Sequence, residues 1–189
     1  MDRIALFGTS ADPPTAGHHT ILRWLASHYD HVAVWAADNP LKPQQTPLDH
    51  RMMMLDLVVQ EIQWQYPHVM LYPDLSQPRT LHTLERARQH WPHPTAFDLV
   101  VGSDLVAQLP RWHRIADLLA QVRLLIVPRP GYDIEPEDLA ALKKLGGDYQ
   151  IADLDPPAVS SSHYRERGDR TMITPPVAAY IAQQQLYAS

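Results

Sequence analysis

The sequence predicts an α/β domain built on a doubly wound, mostly parallel sheet with helices on both faces. Three observations lead there. Apolar runs of four to six residues alternate with longer segments of helical period along the 189 residues. Several of these runs are apolar almost throughout, as strands covered on both faces are. The 18 prolines gather in clusters between the patterned segments, where they punctuate loops. No internal repeat or low-complexity stretch interrupts the alternation, and the length suits one compact domain over residues 1–189.

Taken in order, the first strand falls at Arg3–Phe7, and "GTSADPP" breaks it before a helix over Gly17–Tyr29. His31–Trp35 is rich in β-branched and aromatic residues and reads as the second strand. The prolines from Pro40 to Pro47 separate it from a helix at Asp49–Gln65. Val69–Tyr72 is the third strand, followed by a helix at Thr80–His90. Phe97–Val101 and Arg123–Val127 are strands, with a helical pattern at Trp112–Gln121 between them. A helix at Pro136–Leu145 leads to the last strand, Asp148–Ile151. Two helices, Ser161–Glu166 and Pro176–Tyr187, close the chain. Pro136 and Pro176 suit a first helical turn, where the missing N–H is not needed. Ligands of such sheets lie at the carboxyl ends of the strands, near the point where strand order reverses.

Composition removes several function classes. The net charge is −5 with no long basic run, which argues against a polynucleotide partner. There is no cysteine, so disulfides and thiolate metal sites are excluded. The N-terminal apolar run is too short for a signal peptide, and no stretch approaches the length of a membrane span. A cytoplasmic protein acting on small molecules is the expectation, with no membrane partner; homo-oligomer formation stays open. His90, His93 and His113 lack metal-ligand spacing, and Met52 to Met54 read as helix packing.

The segment "LFGTSADPPTAGHH" falls where a ligand would sit. Gly8 permits a sharp turn and close approach of a ligand. Thr15 and His18, three residues apart, share one helical face. Together with the free N–H groups of the helix start, a hydroxyl and an imidazole there make a phosphate pocket. The competing reading has Thr15 as a helix cap and both histidines as surface residues. There is no GK[ST] of a Walker loop and no GxGxxG fingerprint.

"GTSADPPTAGH" resembles the G-G-[ST]-F-D-P-x-[HT]-x-G-H signature of the HxGH nucleotidyltransferases. Further segments are similar, in order, to those of bacterial nicotinate-nucleotide adenylyltransferases. These are "DNPLKP" with Lys42, "LDHRMMML", "RTLHTLERAR", "VVGSDLVAQLPRWH", "LIVPRPGY", "AVSSSHYRER" and "VAAYIAQQQLY". The chain departs from the pattern at Thr15, Ala11, Thr9, Leu41 and His82.

The resemblance implies a Rossmann-like nucleotidyltransferase fold and adenylyl transfer from ATP to nicotinate mononucleotide, giving deamido-NAD and pyrophosphate. Magnesium would travel with ATP, so no protein metal site is expected. His18, Thr15, Lys42 and Arg165 are the implied catalytic residues. Gly8, Thr9, Ser10, Gly17, Gly102, Asp104, Ser161 and Ser162 would join His18 and Arg165 around ATP, with Asp104 on ribose hydroxyls or capping a helix. Thr80, Thr83, Trp112 and Lys42 would hold the mononucleotide, Trp112 by stacking on its pyridine ring. Arg51 is balanced between a phosphate and a carboxylate such as Asp49. Rival readings are the same transfer to nicotinamide mononucleotide, transfer to phosphopantetheine, and a catalytically silent nucleotide-binding protein.

Overall fold

The computed structural model describes residues 1–39, 42 and 44–188. Six strands form one sheet: β1 (Arg3–Thr9), β2 (His31–Ala36), β3 (Val69–Leu71), β4 (Ala96–Gly102), β5 (Arg123–Val127) and β6 (Asp148–Ile151). Their order is β3-β2-β1-β4-β5-β6, and every pair is parallel. The order reverses between β1 and β4, so the loops after these two strands flank the crevice expected to take a ligand.

Alternate residues of the central strands point to opposite faces, as a pleated strand requires. Ala5, Phe7, Val32, Val34, Val100 and Leu125 enter one core with α1 (Ala16–His28), α2 (Leu48–Gln63), α6 (Ser161–Arg167) and α7 (Pro175–Gln184). Ile4, Leu6, Ala33, Trp35, Leu99 and Leu124 enter the other, with α3 (Thr80–His90), α4 (Ile115–Leu119) and α5 (Pro136–Lys144). Among the described residues, no helix is long and apolar enough to cross a membrane.

Most element boundaries fall within two residues of the sequence reading, but one helix does not. The pattern at Trp112–Gln121 becomes a 3-10 stretch, Ser103–Arg111, and then the short α4. Pro110 lies inside the 3-10 stretch, and Arg114 adopts a left-handed conformation (φ 52°), so a continuous helix cannot form.

The amino end of the sheet carries a buried charge that no motif flagged. Asp98 on β4 is fully buried and accepts hydrogen bonds from Arg3 Nη1 (3.1 Å), from the Arg123 guanidinium and from the Tyr29 hydroxyl (2.7 Å). Burial and this carboxylate push the Tyr29 hydroxyl well above its ordinary range. Removing the carboxylate strands two cations and a hydroxyl. Asp98→Ala should therefore lower the unfolding free energy by about 2–4 kcal/mol, below the upper range for buried pairs because both arginines retain access to water. Tyr29→Phe should cost less, about 1 kcal/mol, because it removes one hydrogen bond and leaves the ion pairs in place. Denaturant midpoints for the two variants test the order.

Candidate active site

Several of the residues expected at the site gather on the loop between β1 and α1. β1 runs on to Thr9, two residues beyond the strand read from sequence, and Gly8 pairs with Trp35 of β2. The space beside Gly8 is filled: a Cβ there would lie 2.5 Å from the Trp35 ring. Gly8 thus admits an indole rather than a ligand. The turn comes later, at Ala11 (φ 48°) and the cis Asp12–Pro13 peptide. Ala11 is buried, so the position where the family pattern has an aromatic packs inward.

Thr15 is the N-cap of α1, and its backbone N–H donates to His18 Nδ1 at 2.9 Å. An N–H can only donate, so Nδ1 carries no proton and the hydrogen sits on Nε2. Nε2 in turn donates to Thr9 Oγ1 at 2.9 Å. The Thr15 hydroxyl, read from sequence as a phosphate donor, is buried and lies 3.1 Å from the same Nδ1. It supports the imidazole instead. Burial, and after it the charge of Arg129, push His18 down to about 4. His18 is therefore a neutral N–H donor near pH 7, held from two sides. His19 points elsewhere, with Nε2 3.8 Å from Glu61 on α2. The two adjacent histidines thus point to different partners.

Other expected residues converge on this loop, several in altered roles. Lys42 is exposed, and its Nζ lies 3.3 Å from Ser10 Oγ. Leu41, along with Pro40 and Pro43, falls outside the described residues. Arg165 Nη1 donates to the Asp12 carbonyl at 2.6 Å and Nη2 to Ser162 Oγ at 3.2 Å. Ser161 Oγ donates to the Pro13 carbonyl. Ser160, and neither Ser161 nor Ser162, caps α6 through a bond from the His163 N–H.

Arg51 faces main-chain carbonyls rather than open space. It is buried, and it donates to the carbonyls of Thr46 (2.8 Å), Ser10 (2.9 Å) and Ala37 (2.8 Å). Asp104 bonds Arg129 Nη1 at 2.9 Å and, among the described residues, makes no capping bond. Arg129 is a residue to which the sequence reading gave no role. The signal was present, since "VPRPG" follows a strand end on the ligand side of the sheet.

A second cluster lies between α3 and the residues before α4. Thr83 is buried, and its hydroxyl donates to the Leu75 carbonyl at 2.9 Å, so it is committed inside the fold. The N–H groups of His82 and Thr83 bond the Arg79 carbonyl. Among the described residues this leaves those of Thr80 and Leu81 at the open end of α3. Trp112 is half-buried against the core on that face. The core it packs against includes Leu81 and Leu84 of α3. Among the described residues, no three His, Asp or Glu side chains are grouped to hold a metal.

Residues 6–167 match the model of the family described as cytidylyltransferase-like. A Synechocystis protein named "Probable nicotinate-nucleotide adenylyltransferase" is 48% identical, over 98% of both chains. The nicotinate-nucleotide adenylyltransferase of Bacillus subtilis is 26% identical over the full length of both. Among solved structures, a Plasmodium falciparum nicotinic acid mononucleotide adenylyltransferase complexed with NaAD superposes with a TM-score of 0.84 at 19% identity, covering 99% of this chain and 98% of that one. The chain belongs to the cytidylyltransferase-like family and, within it, to the nicotinate-nucleotide adenylyltransferases.

Two predictions follow from the loop. A Cβ at Gly17 meets only ordinary contacts, the nearest being Thr15 Oγ1 at 3.4 Å. Gly17→Ala should keep or raise the melting temperature, since alanine favours a helix, and any loss of activity would report on a ligand. Gly8→Ala should instead lower the melting temperature by overpacking against Trp35. Thermal melts and turnover measured side by side separate the two.

The second concerns pH. The folded value of His18 lies below its ordinary 6.5, so the unfolded chain takes up the proton first as pH falls. Its contribution is complete above 6.5 and is lost as pH falls toward 4. Between pH 7 and 4 the parent should therefore lose more stability than His18→Gln. Equal pH slopes in chemical denaturation would refute the neutral, partly buried imidazole.

Proposed function

We propose that this protein transfers the adenylyl group of ATP to nicotinate mononucleotide, releasing pyrophosphate and giving deamido-NAD. The observation that carries the reading is His18, a neutral Nε2–H donor at the end of β1, with Lys42 and Arg165 on the same loop. Its relatives' names and its place in the family support it. An oxygen of the mononucleotide phosphate forms a bond to the α-phosphorus while the bond from that phosphorus to the pyrophosphate oxygen breaks. The attacking phosphate is already anionic near neutral pH, so no side chain needs to remove a proton.

The protein's work is alignment and charge stabilisation. His18 donates to the α-phosphoryl group, exchanging Thr9 Oγ1 for a substrate oxygen. Thr15 positions it, keeping the proton on Nε2. Lys42 closes over the phosphates from its exposed loop, and Arg165 with Ser162 offers a planar donor fork beside them. The carboxylates of Asp12 and Asp104 are engaged by Tyr187 and Arg129. This donor set fits a magnesium ion held by the triphosphate and water rather than by a protein cluster. Magnesium bound there supplies charge neutralisation of the phosphate oxygens. At the other end Trp112 stacks on the pyridine ring, and the N–H groups of Thr80 and Leu81 take its carboxylate. Asp104 serves the ribose hydroxyls. The reaction belongs to the cytoplasm, where both substrates are small soluble anions.

The test is pyrophosphate release from ATP with nicotinate mononucleotide, nicotinamide mononucleotide and phosphopantetheine in parallel. The acid should be preferred over the amide by about tenfold or more in kcat/KM, because the amide NH₂ would face two N–H donors and leave buried groups unpaired. His18→Ala should lower kcat by about 10²–10³-fold, and His19→Ala should be mild. Turnover of phosphopantetheine alone, or of no acceptor, would overturn the reading.

A further inference from the structure

Arg129 follows the end of β5, on the ligand side of the sheet. Three contacts hold it. Its backbone N–H donates to Ser103 Oγ at 2.8 Å and its Nη1 to Asp104 Oδ2 at 2.9 Å. Its guanidinium carbon lies 5.8 Å from the ring centroid of Tyr132, to which it is also bridged through the backbone. Gly102 makes room for the pair: a Cβ there would run into Asp104 Oδ1 and lie 3.0 Å from Arg129 Cδ.

The guanidinium has five N–H donors. Only Nη1 has a hydrogen-bond acceptor among the described residues. The side chain keeps 40% of its surface open. Arg129 also acts on His18, whose protonation it opposes together with burial. His18 follows β1 and Arg129 follows β5, the strands on either side of β4, so both stand at the same carboxyl edge of the sheet. Other charges at that edge are Lys42 on Ser10, Arg165 on the Asp12 carbonyl, and Asp12 itself, engaged by Tyr187.

We propose that Arg129 is a phosphate-binding residue of this site and that Asp104 is its exchangeable partner, holding the guanidinium ready until a substrate phosphate displaces the carboxylate. A half-exposed ion pair is held weakly, and a multiply charged phosphate makes a stronger, charge-assisted contact. Once displaced, the Asp104 carboxylate is released to the ribose hydroxyls assigned to it above. The inference deepens the adenylyl-transfer reading and rests on it for the identity of the anion, which is a phosphate of ATP or of the mononucleotide.

Calorimetric binding of inorganic pyrophosphate and of inorganic phosphate to the parent, Arg129→Gln, Arg129→Lys and Asp104→Asn tests it. These probes carry no ribose, so Asp104 acts on them only through Arg129. Arg129→Gln should weaken at least one probe by about tenfold or more, and Arg129→Lys should recover part of that loss. Asp104→Asn should tighten the same probe by about threefold or more, because the guanidinium is no longer neutralised. A response to pyrophosphate assigns Arg129 to ATP, and a response to phosphate assigns it to the mononucleotide.

A pair that only braces the fold predicts that Arg129→Gln and Asp104→Asn shift binding in the same direction. That result, or no shift in either with unchanged melting temperature, overturns the proposal. Should Arg129→Gln fail to fold, Arg129→Lys and Asp104→Asn still decide by their opposite or shared signs. Adenylyl transfer by the parent is measured separately. Its absence would overturn the reading of the reaction and leave the anion result to stand or fall alone.

Discussion

The buried guanidinium of Arg51 bonds the carbonyls of Ser10, Ala37 and Thr46, and so ties the loop after β1 to the loop after β2. Loops at strand ends have few ladder partners of their own, and carbonyls left unpaired there would favour many shapes. A planar donor fork removes that freedom at three points at once. Asp12, two residues on, completes the anchor. Its carboxylate accepts from the Tyr187 hydroxyl (2.6 Å) and the Thr46 N–H, and its carbonyl accepts from Arg165. The loop is thereby pinned from α2, from α6 and from the end of the chain. His18, Ser10 and Lys42 keep their relation to one another only while it is.

That anchoring explains how an imidazole can serve as a fixed neutral donor. Low local dielectric disfavours the charged ring, and the nearby Arg129 adds to the effect. The Thr15 N–H then decides which nitrogen keeps the proton. A solvated histidine would sample both tautomers and the cation. Here backbone geometry at a helix cap selects one of the three, so the donor needs no reorganisation as charge develops on a phosphoryl group.

Strand–helix alternation and the placement of the β1–α1 loop were legible from residue pattern because they depend on neighbours in sequence. So was the separate fate of the two histidines, since adjacent residues on a helix point in different directions. Less legible were Gly8, Thr83 and Arg51. Gly8 is dictated by an indole on β2, Thr83 by a carbonyl at Leu75, and Arg51 by carbonyls on two loops. Each of these partners is brought close by packing, and residue type alone does not distinguish a hydroxyl facing ligand from one facing a buried carbonyl.

By itself the sequence determined the element order, the two-faced burial of the sheet, the loop on which the candidate residues gather and the family to which its motifs belong. These follow from periodicity, loop punctuation and local spacing, all of which act along the chain. Only the tertiary structure decided which polar groups are committed to protein partners and which stay open. It set Arg129 against Asp104, turned Thr15 toward the imidazole and buried Asp98 between two arginines. Hydrogen bonds and charges act over a few ångströms in space, and the parallel sheet brings β1, β4 and β5 together from positions separated by dozens of residues.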